Sequence, residues 1–399
     1  MRVPWILVTV LVIAQLLIDL YLFRIALLRT RKDNLPRLQL STAVFFLIYL
    51  IVTLCLPRRS GSEEMLATVM WLLFGYLTVY AGKLLFIVVD LIASIPMLWH
   101  RRRIKALSWV GGALALCLFG AMWWGALINR YHIQVKEVTL EIKDLPAGFN
   151  GFRIVQFSDI HVGTYGTDTS FMNSVVERIN SLKPDAVFFT GDIVNRRTDE
   201  LKPFVQTLSG IHASKGVYSI LGNHDYGDYC DWPSPQAKAD NMVLMDKLQR
   251  DMGWQLLRNS TAWLHEGGDS IAVVGVENWG DPPFPQYGDL TKAYPTGIDD
   301  ANKKILLTHN PVHWIADIEN NIAANVMLTL SGHTHAMQME VAGLSPAAWR
   351  YKTWGGRYDS ADGERTLYVN IGMGTVGIPM RLGATPELTL ITLVNKTTD

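Results

Sequence analysis

The sequence predicts two unlike parts: an N-terminal α-helical transmembrane bundle of about four spans, residues 1–130, and a C-terminal α/β domain, residues 131–399. Two observations predict this. Long apolar runs fill the first part and stop near residue 130. After Arg130 the pattern becomes short β-rich apolar runs separated by glycine, proline and helical stretches, the pattern of a layered α/β or α+β domain. A chain of 399 residues has room for two or three domains, and the composition shift makes two the natural count.

The first apolar run extends from Val3 to Phe23. A helix rises about 1.5 Å per residue, so roughly 20 such residues cross the hydrocarbon core. Similar runs follow from Leu38 to Leu56, from Met65 to about Trp99 and from Ser108 to Ile128, giving spans at 3–23, 38–56, 65–99 and 108–128. The first run lacks a small-residue cleavage site and is followed by further spans, which argues for an uncleaved helix rather than a signal peptide. The third is long enough to tilt or to extend past the bilayer.

Lysine and arginine in short loops stay on the cytoplasmic side. The first connector carries Arg24, Arg29, Arg31, Lys32 and Arg37, and the third carries Arg101, Arg102, Arg103 and Lys105. In the second, Arg58 and Arg59 lie beside Glu63 and Glu64. Loops one and three are therefore expected inside, with both termini and the α/β domain outside. The basic stretch Trp99–Lys105 reads as a topology signal, with anionic-lipid binding secondary. Polar intrusions are Gln15, Asp19, Lys83 and Asp90. Lys83 and Asp90, seven residues apart, share a helical face and are expected to form a structural ion pair; a transport or lipid-handling role is the competing reading.

Lysine plus arginine and aspartate plus glutamate both number 36, for zero formal charge. That balance, with no basic stripe, gives no reason to expect a nucleic-acid partner. Of the three cysteines, Cys55 and Cys117 lie in apolar runs and Cys230 stands alone in the polar half, so no disulfide framework is legible.

The chemistry of the second part sits at the ends of five expected strands. Phe152–Phe157 leads to Asp159 and His161, Ala186–Thr190 to Gly191-Asp192, and Val217–Leu221 to Gly222-Asn223-His224-Asp225. Ile305–Thr308 leads to His309, and Met327–Leu330 to Gly332-His333-Thr334-His335. Packing does not call for Asp, Asn or His at the end of every strand, and buried polar groups must be satisfied. Convergence on metal explains them together. Carboxylate, imidazole and amide ligands suit divalent first-row ions, and the lack of clustered cysteine argues against a structural zinc site. Glycines before Asp192, Asn223 and His333 allow tight turns close to the ligands.

The set Asp159-x-His161, Gly191-Asp192, Gly222-Asn223-His224-Asp225, His309 and Gly332-His333-x-His335 resembles the full motif set of the calcineurin-like metallophosphoesterases, over about Phe152 to Leu393. The C-terminal stretch Tyr368 to Leu390 resembles the membrane-associated bacterial YkuE-like branch, which is taken to share only metal motifs with UDP-diacylglucosamine pyrophosphatases. The resemblance implies a four-layer α/β/β/α sandwich. It also implies one metal on Asp159, His161, Asp192 and His335 and a second on Asp192, Asn223, His309 and His333, the ions being Mn, Fe or Zn. Paired cations would activate a bridging water as hydroxide and neutralise phosphoryl oxygens. His224 would serve as general acid or charge stabiliser, with Asp225 orienting its ring.

His313 is expected to start a helix, and His132, His212 and His265 to be ordinary surface or core residues. Arg381 would meet a phosphate or pair with Glu387, and is left outside the site. Residues 226–235, 279–287 and 349–358 are the loops expected to shape the pocket mouth, with their aromatic side chains at a membrane interface or over the sandwich edge. The expected function is hydrolysis of a phosphoester or pyrophosphate bond, in a lipid-linked substrate because the spans hold the site near the bilayer. A nuclease or protein phosphatase is a rival within that class. The alternative from another class is a transport or sensory protein whose outer domain binds metal without catalysis.

Overall fold

The computed structural model describes residues 5–29, 34–57, 59–100, 102–282, 284–321 and 324–396. Arg31, Lys32, Arg58 and Arg101 of the topology argument lie outside the described residues. The chain divides into two compact units, Met1–Leu127 with Gly377–Met380, and Ile128–Val376 with Arg381–Asp399.

In the first unit, α1 (Trp5–Arg29), α2 (Asn34–Cys55), α3 (Glu63–Ser94) and α4 (Lys105–Leu127) supply four helices long and apolar enough to cross a membrane. The first runs on past Phe23 through Arg24, because backbone hydrogen bonding continues where the apolar run stops. Ser62 caps α3 by accepting from the Met65 N–H, and Glu63 and Glu64 face its positive end. Exposed leucine, isoleucine and valine cover the outer faces of the helices, as a lipid solvent requires.

The charges inside this unit pair differently from the expectation. Lys83 and Asp90 do not meet each other: Lys83 Nζ lies 2.7 Å from Asp19 of α1, and Asp90 is held by Arg103 at 2.6 Å. Tyr80 and Gln39 also donate to Asp19, and Tyr21 and Ser108 to Asp90. A partner on a neighbouring helix lets each carboxylate be closed off by several donors at once, whereas seven residues along one helix separate two side chains by about two turns.

The second unit begins with β1 (Gln134–Ile142), β2 (Arg153–Phe157), α5 (Ser170–Ser181), β3 (Ala186–Phe189), α6 (Val205–Leu208), β4 (Val217–Ser219), α7 (Pro235–Asp251) and β5 (Trp254–Leu256). It continues with β6 (Ser260–Glu266), β7 (Asp269–Gly275), α8 (Leu290–Ala293), β8 (Lys304–Leu307), β9 (Val326–Ser331), β10 (Gly356–Asp359), β11 (Thr366–Val369) and β12 (Glu387–Asn395). Two six-stranded sheets result, in the orders β1-β12-β2-β3-β4-β5 and β10-β11-β9-β8-β7-β6. The run β2 to β5 is parallel, as is β7-β8-β9-β11.

The inner faces of the sheets meet in a core that includes Ile154, Phe188, Val273, Ile305 and Leu328. Against the outer face of the first sheet, Val155, Val187 and Phe189 pack with Phe171, Val175 and Ile179 of the amphipathic α5 and with Met245 and Leu248 of α7. Against the outer face of the second, Val274, Leu306 and Val369 pack with Tyr294, Trp314 and Ile318. Four layers follow, the last one thin: α8 and a single π-helical turn, Trp314–Ile318. Both faces of β2, β3, β8 and β9 are covered, so their sequences read as continuous apolar runs.

Candidate metal centre

The strands β2, β3 and β4 of one sheet and β8 and β9 of the other end on the residues singled out above. Several adopt a left-handed backbone immediately after the strand: Asp159 (φ 53°), His161 (44°), Asp192 (60°), His333 (76°) and His335 (51°). Such conformations cost about 1–3 kcal/mol each and collect at functional sites, where they turn a side chain back over the strand end. Glycine serves here by its lack of bulk. A Cβ on Gly222 would strike the Asp192 carboxylate, and one on Gly332 the Asp159 carboxylate.

Two groups of donor atoms form, each within 4.8 Å: Asp159, His161, Asp192 and His335, and Asp192, His309 and His333. Asp192 belongs to both, its Oδ2 lying 3.7 Å from His161 Nε2 and 3.1 Å from His309 Nε2. Asn223 joins the second group, its Oδ1 lying 2.8 Å from His333 Nδ1. His161 Nε2 and His335 Nε2 face each other at 3.0 Å, and His335 Nε2 lies 3.2 Å from Asp159.

The orientation of the rings follows from their outer nitrogens. His161 Nδ1 lies 3.1 Å from the Val194 carbonyl and His309 Nδ1 2.7 Å from the Thr190 carbonyl. A carbonyl only accepts, so each Nδ1 carries a hydrogen, and in the neutral ring that leaves the Nε2 lone pair facing inward, the tautomer a metal ligand needs. Buried carboxylates with inward lone pairs form a set that fits divalent cations. Without one, the side chains compensate among themselves. Burial opposes charge on His309, but the Asp192 carboxylate outweighs it and raises the ring to about 9. Burial and then His309 push His333 down to about 3. Burial would raise Asp159, yet His335 and His309 hold it below the usual carboxylate range.

His224 lies beside both groups. Its backbone N–H donates to Asp192 Oδ1 at 2.8 Å, and its Nδ1 donates to the Asn195 carbonyl at 2.5 Å. Asp225 does not orient that ring, contrary to the expectation. Its carboxylate accepts from the backbone N–H groups of Gly222, Asp192, Ile193 and Val194. The turn after β3 exposes successive amides that no strand partner satisfies, and a buried carboxylate is the acceptor they require. Burial and the neighbouring Asp192 lift Asp225 to about 7, against the pull of those amides.

Arg381 is buried and does not pair with Glu387. It donates to the carbonyls of Gly374, Ala384 and Ile371 and lies 3.2 Å from His335 Nδ1, while Glu387 meets Lys136. Position alone gave no sign that it supports a ligand. His313 stacks on Trp279, precedes the π turn and contacts Thr308 and Asp317 rather than the centre. His132, His212 and His265 are exposed. Two residues that pattern reading missed touch the centre. Tyr229 Oη accepts from Asn223 Nδ2 at 2.9 Å, and Tyr351 Oη lies 3.0 Å from His333 Nε2. Both sit in the loops expected at the mouth, but no spacing rule marked them.

Comparison with known proteins agrees with this geometry. Residues 152–337 match the family described as "Calcineurin-like phosphoesterase", and residues 1–130 match "Probable Calcineurin-like phosphoesterase, transmembrane domain". The "Uncharacterized metallophosphoesterase YkuE" of Bacillus subtilis is 29% identical over 302 residues, covering 74% of this chain and 97% of that protein. The bovine "Transmembrane protein with metallophosphoesterase domain" is 31% identical over 266 residues, 65% of this chain and 56% of that one. The "UDP-2,3-diacylglucosamine pyrophosphatase LpxG" of Chlamydia trachomatis is 29% identical over 310 residues, 63% of this chain and 86% of that protein. That likeness extends well beyond the metal motifs, correcting the narrower expectation. The chain carries a calcineurin-like phosphoesterase domain with an N-terminal four-helix transmembrane domain and is a metal-dependent phosphoester hydrolase.

Proposed function

We propose that the enzyme hydrolyses a phosphoester or pyrophosphate bond in a lipid-linked or envelope substrate on the outer face of the membrane, with two divalent ions at one centre. Asp159, His161, Asp192 and His335 would hold the first, and Asp192, Asn223, His309 and His333 the second. The observation that carries this reading is the inward direction of Nε2 on His161 and His309, whose Nδ1 atoms are held by the Val194 and Thr190 carbonyls, around the shared Asp192. The mixture of carboxylate, imidazole and amide donors suits Mn, Fe or Zn. Bound there, such ions polarise the phosphoryl group and make water acidic near neutral pH. The chain's own part is to place and protonate. Asn195 holds His224 by Nδ1, so that Nε2 can give its proton to the departing ester oxygen.

The lipid-linked assignment is supported by the four apolar helices and by the diacylated substrate in the name of the chlamydial relative. The uridine nucleotide in that name is not carried over, since a catalytic domain outside the cell would not meet a cytoplasmic nucleotide-lipid. Outward placement is supported by the basic residues of the first and third connectors. The charges that favoured transport, Lys83 and Asp90, each have a separate structural partner, which removes that motive.

Hydrolysis of p-nitrophenyl phosphate and bis-(p-nitrophenyl) phosphate by the purified full-length protein with manganese, before and after chelation, tests the reaction. Activity should require metal and vanish in Asp192→Asn; activity indifferent to both would refute the assignment. A periplasm-active reporter fused to the C-terminus should be active, and an inactive but expressed fusion would reverse the topology.

A further inference from the structure

Most large apolar side chains of the second unit are buried, and a single exposed one needs no explanation. Four exposed ones fall close together in the chain: Met337, Val341, Leu344 and Trp349, the last two 77% and 90% exposed. Val341 and Leu344 exchange backbone hydrogen bonds across Ala342 and Gly343, whose left-handed φ values of 53° and 79° make a two-residue hairpin. Residues paired in this way present their side chains on one face, so valine and leucine stand together at the tip.

The hairpin is firmly based. Ser345 donates to the Ala336 carbonyl at 2.6 Å, and the turns His335–Gln338 and Pro346–Trp349 pack together. Ala336 is buried with Ile371 and Ala384, and Trp354 lies against them. His335, Ala336, Met337 and Gln338 all adopt left-handed backbone, which such residues keep only where their surroundings impose it. An ordered base thus holds apolar side chains outward, where water alone would favour polar ones.

Both ends of this segment touch the candidate metal centre. His335 belongs to the first donor group, and Tyr351 Oη lies 3.0 Å from His333 Nε2. The residues leading into the hairpin are also tied to the first residues after the last apolar helix. That helix, α4, ends at Leu127, and Asn129 donates to the Arg381 carbonyl at 2.9 Å. The next residue, Leu382, pairs with Gln338 and Glu340 through backbone hydrogen bonds of 2.9 and 2.8 Å. Residues 341–358 include Arg350, Lys352 and Arg357 and no carboxylate. Apolar side chains with a tryptophan and basic neighbours have the composition of an interfacial anchor that favours anionic lipid.

We propose that the hairpin 341–344, with Met337 and Trp349, inserts into the headgroup region of the lipid bilayer, so that the candidate metal centre works on phosphate groups at the bilayer surface. The substrate part of this deepens the lipid-linked reading above and rests on it; the insertion does not.

The test uses the full-length protein in nanodiscs of phosphatidylcholine and phosphatidylglycerol. Leu344→Cys carries a fluorescent label, in a background of Cys55→Ser and Cys117→Ser, because those two cysteines are exposed and Cys230 is buried. Val243→Cys, at an exposed position on α7, is the control. Nitroxide-bearing lipid should quench the label at position 344 and not at 243, and aqueous iodide should do the reverse. Equal iodide quenching at the two positions would overturn the proposal. So would a label at 344 that neither quencher reaches, since a protein surface, such as a second copy of the chain, would then cover the tip.

Kinetics need no label. With saturating manganese, Val341→Ser/Leu344→Ser should lower kcat/KM for a fluorogenic phospholipid diester in the discs by about tenfold, the scale of losing one leucine's burial. Bis-(p-nitrophenyl) phosphate in solution should be cleaved as by the wild type. Equal loss on both substrates, or no loss on either, would overturn the surface role. If the wild type cleaves neither substrate, the phosphoesterase reading has failed; if it cleaves only the soluble one, the lipid-linked reading has. In both cases the quenching pattern still decides the insertion: lipid quenching at 344 supports it, and iodide quenching overturns it.

Discussion

The Asp225 carboxylate accepts the backbone N–H of Asp192 at 2.9 Å, so the residue beside His224, the proposed proton donor, holds the main chain of the residue shared by both donor groups. With Gly222, Ile193 and Val194 it gathers four amides onto one side chain. In Asp225→Ala those buried donors lose their acceptor, at about 1–3 kcal/mol for a group left unsatisfied. Thermal unfolding of the purified variant should come several degrees lower, and its metal content should fall with it. An unchanged melting temperature would show that the amides find other acceptors.

His224 has the opposite profile. It belongs to neither donor group, and its ring is held by the Asn195 carbonyl at 2.5 Å. His224→Ala should lower kcat by about 10²–10⁴, with bound manganese and melting temperature close to wild type. If kcat is retained on an ester with a poor leaving group, another residue supplies the proton.

Chelation should destabilise the protein. Asp159 and Asp192 are buried around positions suited to cations, and a ligand present at 100 times its dissociation constant stabilises the folded state by about 2.7 kcal/mol. Removing metal should lower the melting temperature, and manganese should restore it while magnesium does so less well, because imidazole ligands favour the transition ion. A melting temperature that ignores metal removal, with elemental analysis confirming the removal, would contradict the ligand assignment.

In the membrane unit, Asp19→Ala strands Lys83 among apolar helices. Breaking a buried pair from one side costs about 3–5 kcal/mol, and removing both partners costs less. Thermal stability in detergent should therefore fall for Asp19→Ala and partly recover in Asp19→Ala/Lys83→Ala. Asp90→Ala should not be rescued by Lys83→Ala, because its partner is Arg103. Rescue there would restore the pairing within one helix that the spacing first suggested.

Much of the architecture was legible because it depends on local composition. The four apolar helices read as runs long enough for the hydrocarbon core, and β2, β3, β8 and β9 read as buried strands because both their faces are covered. Candidate ligands were legible for a related reason: Asp, Asn and His directly after a buried strand have no packing role, so their chemistry stands out. Asp225 escaped because nothing along the chain distinguishes a carboxylate aimed at a ring from one aimed at backbone amides. Tyr229 and Tyr351 escaped because a tyrosine in an aromatic loop has no mark until its hydroxyl has a partner.

By itself, then, the sequence determined where helices and strands form and which residue types stand at their ends, since periodicity and polarity act over a few neighbouring residues. Only the tertiary structure decided who meets whom. Asp159 from β2 lies beside His335 beyond β9 because the two sheets pack face to face, and Lys83 finds Asp19 across 64 residues because α1 and α3 lie together. Such pairings depend on distance in space, and a buried charge takes the partner that satisfies it most fully rather than the one nearest in sequence.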